Sequence, residues 1–538
     1  MINRCRRVLA GLMLVLCSLP GFAGEDDLMS LATQLIRAGY DEKAALAGQI
    51  AVSDDERGLM LLNALLDGQL YYRKDSEQLL IVSGNEHITD AFTDEPVTGL
   101  ERRDKKKIGV NNKLRIALRS LISQAQISSR NPEWRRAAAL NLLKSADAVD
   151  LEFIGTALHK EQNTDIREIL LLVRGLLLLK SEQAEQRMEG IELLDGSLYP
   201  EVRASLHQFI NGFSAGEKIS RRDELELAQK SLADIETLVS VNGYIENLYF
   251  GLALGAVLLL AAIGLAITFG VMGVINMAHG EMIMLGAYTT YVVQQMMPDH
   301  IGLSLVVSIP AAFLVSGLAG VVIERGVIRH LYGRPLETLL ATFGISLILQ
   351  QAVRSIFSPL NRQVGSPDWM SGTFMVNPAL ELTWNRLYII MFSLMVLALL
   401  ALVLKRTLFG LQMRAVTMNR PMASSMGIRT GWVDALTFGL GSGIAGIAGV
   451  ALSQLTNVGP NLGQAYIIDS FMVVVFGGVG NLWGTLVAAM SLGVANKIFE
   501  PLAGAVLAKI LVLVFIILFI QKRPRGLFAL KGRAVDNA

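Results

Sequence analysis

The chain has 538 residues, of which 52% are hydrophobic and 18% charged, with a net charge of +1. A near-neutral total gives no electrostatic case for a nucleic-acid partner. The mean hydropathy of +0.45 is too high for a purely soluble chain, and it averages two unlike regions. Up to about Gly243 Lys, Arg, Asp and Glu are frequent, whereas from Leu248 long stretches lack charge.

Residues 1–23 read as a secretory signal. Arg4, Arg6 and Arg7 precede an apolar run, Val8–Leu19, and Gly21-Phe22-Ala23 supplies small residues for cleavage. The run is shorter than the roughly 20 residues that a bilayer requires. Both cysteines, Cys5 and Cys17, lie in this segment, so a processed chain has no disulfide, thiol chemistry or Cys-metal site.

Residues 24–243 read as an exported, mostly helical domain. Pro132-Glu133-Trp134-Arg135, Thr164-Asp165-Ile166-Arg167 and Pro200-Glu201-Val202-Arg203 share one pattern at about 32- and 36-residue spacing. A helix starter followed by an acid suits a helix N-terminus, where the backbone dipole is positive. One helical hairpin per repeat predicts a HEAT-like α-solenoid. Asp67–Arg73 predicts a turn into a short strand, Ile81–Asn85 a second, and Gly99–Asn112 a solvated loop.

Residues 244–538 predict a polytopic helical membrane domain, so the overall fold class is all-α. Leu248–Phe269, Ile301–Ile323, Leu336–Phe357, Leu387–Leu404, Ala435–Ile468, Ser470–Asn496 and Ala503–Ile520 supply apolar length for about eight to ten crossings. Arg325, Arg329, Arg334, Lys405, Arg406, Arg414, Arg420, Arg429, Lys522, Arg523, Arg525, Lys531 and Arg533 fall in one set of loops. The alternate set holds only Arg362 and Arg386. Positive loops face the cytosol. With nine crossings the N-terminal domain is outside and the C-terminus inside, as the signal segment also requires.

Two glycine-rich breaks interrupt the apolar helices. The first, Phe269–Glu281, holds Gly270, Gly273, Asn276, His279, Gly280 and Glu281. The second, Val475–Gly484, holds Gly477, Gly478, Gly480 and Asn481, and Asp469 precedes it. Paired breaks in two halves of a transporter mark a translocation path, and ionisable groups at membrane depth are costly unless functional. Close helix packing through glycine explains the same pattern. Glu281 and His279 also fit a short cytosolic turn, with Glu281 facing a helix N-terminus. Two ligands at His279 and Glu281 do not complete a zinc site. In the cytosolic segment Gly410–Arg429, Pro421 suits the start of a short helix and Gly427 its end. Its methionines suit docking into a partner's groove.

Ile275-Asn276-Met277-Ala278-His279-Gly280-Glu281, Gly410–Ala415 with Gly427-Ile428, and Phe476-Gly477-Gly478-Val479-Gly480-Asn481 resemble the motifs of branched-chain amino-acid-type ABC permeases. The resemblance runs from about Leu248 to Phe528. The domain ahead of it, with Thr456-Asn457-Val458-Gly459-Pro460-Asn461-Leu462-Gly463, resembles the urea-transporter branch. It implies a bacterial inner-membrane transport subunit without enzymatic activity or cofactor. The implied partners are a second homologous permease, cytosolic ATPases and a periplasmic solute-binding protein. Gly410, Arg414, Pro421, Ser424 and Gly427 then fall in the ATPase-coupling region. The chain has no phosphate-binding G-x-x-x-x-G-K-[ST] loop of its own. Urea is the expected solute, with branched-chain amino acids or short-chain amides the alternative and a passive channel the second alternative.

Overall fold

A computed structural model describes residues 25–52, 56–83, 87–97, 104–146, 149–213 and 220–528. The proposed signal segment lies outside these, as do Lys531 and Arg533. The chain divides into two units, Met1–Leu238 and Val239–Ala538.

The first unit begins with helices α1 (Glu25–Arg37), α2 (Tyr40–Val52) and α3 (Glu56–Leu66). Strands β1 (Leu70–Arg73), β2 (Leu79–Ser83), β3 (His87–Asp90) and β4 (Lys105–Lys107) follow. They form an antiparallel sheet in the order β3-β2-β1-β4. This corrects the all-α reading. Within the described part of the expected loop Gly99–Asn112, Lys105–Lys107 pairs with Tyr71–Arg73. Three consecutive lysines carry no alternation, yet an edge strand needs only backbone pairing, and lysine is a usual edge residue.

Helices α4 (Asn112–Gln126), α5 (Pro132–Lys144), α6 (Leu151–Lys160), α7 (Thr164–Leu178), α8 (Ala184–Leu194) and α9 (Pro200–Asn211) complete this part. Helices α5, α7 and α9 start at the first residues of the three sequence repeats. Asn131 and Asn163 cap two of them through Oδ1, accepting from the backbone N–H of Glu133 at 2.9 Å and Asp165 at 3.0 Å. Each such cap contributes about 1 kcal/mol. Ala138, Leu142, Ile166, Leu170 and Val173 are fully or almost fully buried, as spacings of three and four on one helix face require.

Helix α10 (Arg222–Met272) begins in the first unit and ends in the second. The second unit continues with α11 (His279–Met296), α12 (Ile301–Gly326) and α13 (Pro335–Phe357). A two-stranded ribbon, β5 (Thr373–Asn377) and β6 (Leu380–Thr383), precedes α14 (Trp384–Arg406). Then come α15 (Leu408–Met418), α16 (Arg420–Ser425), α17 (Thr430–Ser453), α18 (Leu462–Gly477) and α19 (Leu482–Lys522). Among the described residues six helices are long and apolar enough to cross a membrane, and α18 is a shorter apolar helix.

Helix α19 is not one rod. Its 41 residues would extend about 60 Å if straight. Yet the N–H groups of Leu527 and Phe528 donate to the carbonyls of Phe476 and Gly477 at 2.9 and 3.2 Å, just ahead of its start. The chain therefore doubles back inside α19. The reversal is at Gly504, with φ 80° and ψ 159°, a backbone region open essentially to glycine.

Glycines set the helix spacing in this unit. A Cβ on Gly446 of α17 would lie 2.5 Å from the Ala312 carbonyl oxygen of α12, and one on Gly286 of α11 would strike Gly446. Without side chains between them, backbones approach closely enough for van der Waals contact along their length.

Candidate functional site

The two glycine-rich breaks meet. A Cβ on Gly270 would lie 2.5 Å from the Gly480 Cα. Gly273, Gly478 and Gly480 all have positive φ, 66°, 100° and 77°, so the chain unwinds at each break where other residues would be strained. Gly477 packs against the backbone of Gly484, and Gly280 packs against the Gly463 carbonyl.

The sequence-predicted path residues separate into different roles. Asn481 caps α19: its Oδ1 accepts from the N–H of Trp483 and Gly484 at 3.1 and 3.2 Å, and its Nδ2 donates to the Phe528 carbonyl. Asp469 pairs with Lys509 at 3.2 Å, joining α18 to the second half of α19. His279 is fully buried, and its Nε2 lies 2.9 Å from the Ala261 carbonyl of α10. A carbonyl oxygen only accepts, so Nε2 is the donor. The ring edge abuts Gly264, which leaves no room there for a Cβ. These contacts make His279 a wedge between helices.

Glu281 has a different environment. It lies in the first turn of α11, as the helix-start reading expected, but it is 1% exposed rather than in an open turn. Its Oε1 accepts from Ser346 Oγ at 2.9 Å and from Gln350 Nε2 at 2.7 Å, both on α13. Its Oε2 is buried and has no hydrogen-bond partner among the described residues, and the same holds for Asn276 Nδ2, His279 Nδ1 and Tyr288 Oη. The α11 side of the seam with α13 thus keeps one open carboxylate acceptor at Glu281, and the unwound segment before α11 keeps an open amide donor at Asn276.

Helix α13 supplies the facing wall. Thr338, Thr342, Ser346 and Gln350 recur every four residues and are all buried, so they form one polar stripe. Thr342 Oγ1 accepts from the Met277 N–H at 3.2 Å, holding the unwound segment before α11. The opposite face carries Leu336, Leu340, Leu347 and Ile348, all exposed. Sequence reading treated this helix as a plain span. The four-residue period of its hydroxyls and amide was the available signal.

The segment Thr456–Gly463 closes the same region. Val458 exchanges both backbone hydrogen bonds with Arg362, at 2.7 and 2.8 Å. Arg354 Nη2 donates to Asn461 Oδ1 at 2.8 Å, tying the far end of α13 to the start of α18.

On the loop predicted to face the cytosol, Gly410 lies against the Leu404 backbone and Arg414 Nη1 donates to the Leu404 carbonyl at 2.5 Å. Pro421 occupies the first turn of α16, Asn419 caps it, and Gly427 follows its end with φ 87°. Ser424 is exposed, and Met418, Met422 and Met426 present an uncovered apolar row. No group of three or more potential metal ligands occurs among the described residues. A cavity of about 800 Å³ lies in the first unit, lined by Lys144, Lys180, Glu201, Phe209 and Phe213 among others.

Comparison with known proteins agrees with this membrane architecture. A family model described as the branched-chain amino acid transport system / permease component matches residues 247–520. The chain is 28% identical over 294 residues to the high-affinity branched-chain amino acid transport system permease protein BraD of Pseudomonas aeruginosa, covering 53% of this chain and 95% of that one. The corresponding protein LivH of Escherichia coli K12 gives the same identity and coverage. A probable branched-chain amino acid transport permease protein LivH of Methanocaldococcus jannaschii is 26% identical over 245 residues, 45% of this chain and 76% of that one. No solved structure matches the chain. With half its length matched by the family model, and the Pseudomonas and Escherichia relatives covered almost end to end, the chain belongs to the branched-chain amino acid transport system permease family.

Proposed function

We propose that the chain is the permease subunit of an ATP-driven importer for branched-chain amino acids or short-chain amides, with the seam between α11 and α13 contributing to its path. The observation that carries this reading is the buried Glu281 carboxylate, which has one oxygen held by Ser346 and Gln350 and the other open. A desolvated carboxylate oxygen gains strongly from an N–H donor, a group that amino acids and amides both offer. The substrate class named for the relatives supports amino acids.

Urea is the second reading. The family match begins only at residue 247, so the long first unit separates this chain from the part shared with those relatives. In addition, Thr456–Gly463, the segment resembling the urea branch, packs through Gly463 on Gly280, next to Glu281. Labelled leucine and labelled urea, each given at micromolar concentration to cells with and without this chain, decide between them. Chain-dependent leucine uptake supports the first reading; chain-dependent urea uptake that leucine leaves unchanged replaces it with the second.

In this proposal nine helical segments cross the inner membrane, with α11, α18 and both halves of α19 among them. The excess of Lys and Arg in alternate loops supports a periplasmic first unit, read as a short HEAT-like solenoid, and a cytosolic C-terminus. The partners are a second homologous permease, cytosolic ATPase subunits and a periplasmic solute-binding protein. Helices α15 and α16 dock the ATPase through Ser424 and the exposed methionine row. A cysteine at Ser424 is expected to cross-link to the ATPase; absence of a cross-link there and at neighbouring exposed positions removes the docking assignment.

A further inference from the structure

We infer that Arg420 is a positioning residue that locks α16 to α17, so that movement of the short cytosolic helix is delivered to α11, which bears Glu281. The inference rests on the reading of α16 as the ATPase docking helix. Arg420 opens α16 and donates from Nη1 to Asp434 Oδ1 at 3.3 Å, with a second, shorter bond from Nη2 to Oδ2. Asp434 is in the second turn of α17 and is 2% exposed. The flat face of the same guanidinium lies 3.9 Å from the centroid of Tyr332, in the connection between α12 and α13. A two-bond fork stacked on an aromatic ring fixes both distance and angle, which a single lysine contact does not.

Two further features make this link the means of transmission. Glu324, at the end of α12, is also 2% exposed, and its nearest cation is Arg325 at 3.7 Å, itself stacked on Trp432 at 4.3 Å. Withdrawing Arg420 would strip the charge partner from Asp434 in a region that already holds a second buried carboxylate, so α16 and α17 move together at lower cost than apart. Helix α17 then has no slack against its neighbours. Gly446 lies against Ala312 and Gly286, while a Cβ on Gly449 would lie 2.6 Å from the Ala287 backbone nitrogen. Contacts of backbone on backbone cannot be absorbed by a rotamer change, so a shift of α17 carries α11 with it.

The test uses the assembled importer in membranes, with Arg420→Gln, Asp434→Asn and the double variant. Arg420→Gln leaves the buried Asp434 carboxylate unpaired and is expected to lower the amount of folded protein, whereas Asp434→Asn leaves Arg420, whose side chain is 32% exposed, partly solvated and should lower it less. The double variant removes both charges, so its abundance should return to within about twofold of the parent. If Arg420 transmits movement, uptake per molecule in the double variant stays at least about tenfold down while ATP hydrolysis persists. The ATP consumed per solute therefore rises, which a purely structural defect does not produce. Restored uptake in the double variant overturns the inference, as does a proportional fall of uptake and ATP hydrolysis. Cross-linking at Ser424→Cys and at neighbouring exposed positions in the otherwise unaltered chain separates the premise: no cross-link at any of them defeats the docking reading, whatever the Arg420 variants do.

Discussion

Glu281 and Asn481 show how two polar residues in similar glycine-rich breaks come to different uses. The Glu281 oxygen held by Ser346 and Gln350 has a neighbour with no partner, so replacing the carboxylate by an amide keeps both hydrogen bonds and changes only the open atom. Glu281→Gln should therefore leave abundance unchanged and reduce solute uptake by about tenfold, a loss of about 1.4 kcal/mol; unchanged uptake would remove Glu281 from the path. Asn481→Ala should do the reverse. Losing the cap of α19 costs about 1 kcal/mol of stability, read as a lower melting temperature of the purified protein with the solute KM unaltered. Their polar character inside glycine-rich breaks of otherwise apolar sequence made both of them candidates in the sequence. What separates them is whether a free side-chain atom remains, and that depends on α13 and on Phe528, distant in the chain. Asn481 did carry a local clue, since it immediately precedes the apolar run beginning at Leu482. His279 carried none, because Ala261 and Gly264 reach it from another helix.

Elements in this chain are held by contacts that local sequence signals only half reveal. The starts of α5, α7 and α9 were legible, because proline, threonine and an adjacent acid act within one helical turn. The pairing between helices was not. Glu161, just beyond α6, accepts from Arg135 of α5 at 2.8 and 3.2 Å and from the N–H groups of Gln162 and Asn163 at 3.0 and 2.9 Å. Burial alone would raise its pKa, but Arg135 and those N–H groups outweigh it and hold the carboxyl below its ordinary value of 4.5. The stability this contributes is present above pH 4.5 and is lost as pH falls through the depressed folded value. Arg135→Ala should cost about 1.5–3 kcal/mol near neutral pH and much less once Glu161 is protonated, measured by hydrogen exchange in α5 and α6 of the full chain. An equal cost at all pH values would contradict the assignment. The doubling of α19 was also partly legible, since Ala503 was read as the start of a separate span, although Gly504 was not identified as the reversal. Spin labels at Trp483 and Lys522 should lie within about 25 Å of each other, against about 60 Å for a straight helix. The β5–β6 ribbon escaped notice because four of the five residues of β5 are exposed, so no burial alternation marks it.

At the scale of the whole molecule, hydropathy and the placement of arginine and lysine made the membrane class legible, because hydrocarbon leaves a chain few options other than helices. The family match over residues 247–520 covers the same half of the chain. The proposed path was less legible, since it requires knowing that Gly270 meets Gly480 and that α13 turns its polar stripe toward Glu281. In the proposed reading a few groups facing one another across a seam select the solute, and a sequence lists such groups without saying which ones meet. The central claim, that these helices form the path of an ATP-driven importer, is tested most directly by one measurement. Labelled leucine and labelled urea are given at micromolar concentration to cells with and without the chain, before and after depletion of ATP. The account predicts saturable uptake of one of the two solutes that requires both the chain and ATP. Chain-dependent uptake that continues unchanged after ATP is exhausted would contradict it and make the protein a passive channel.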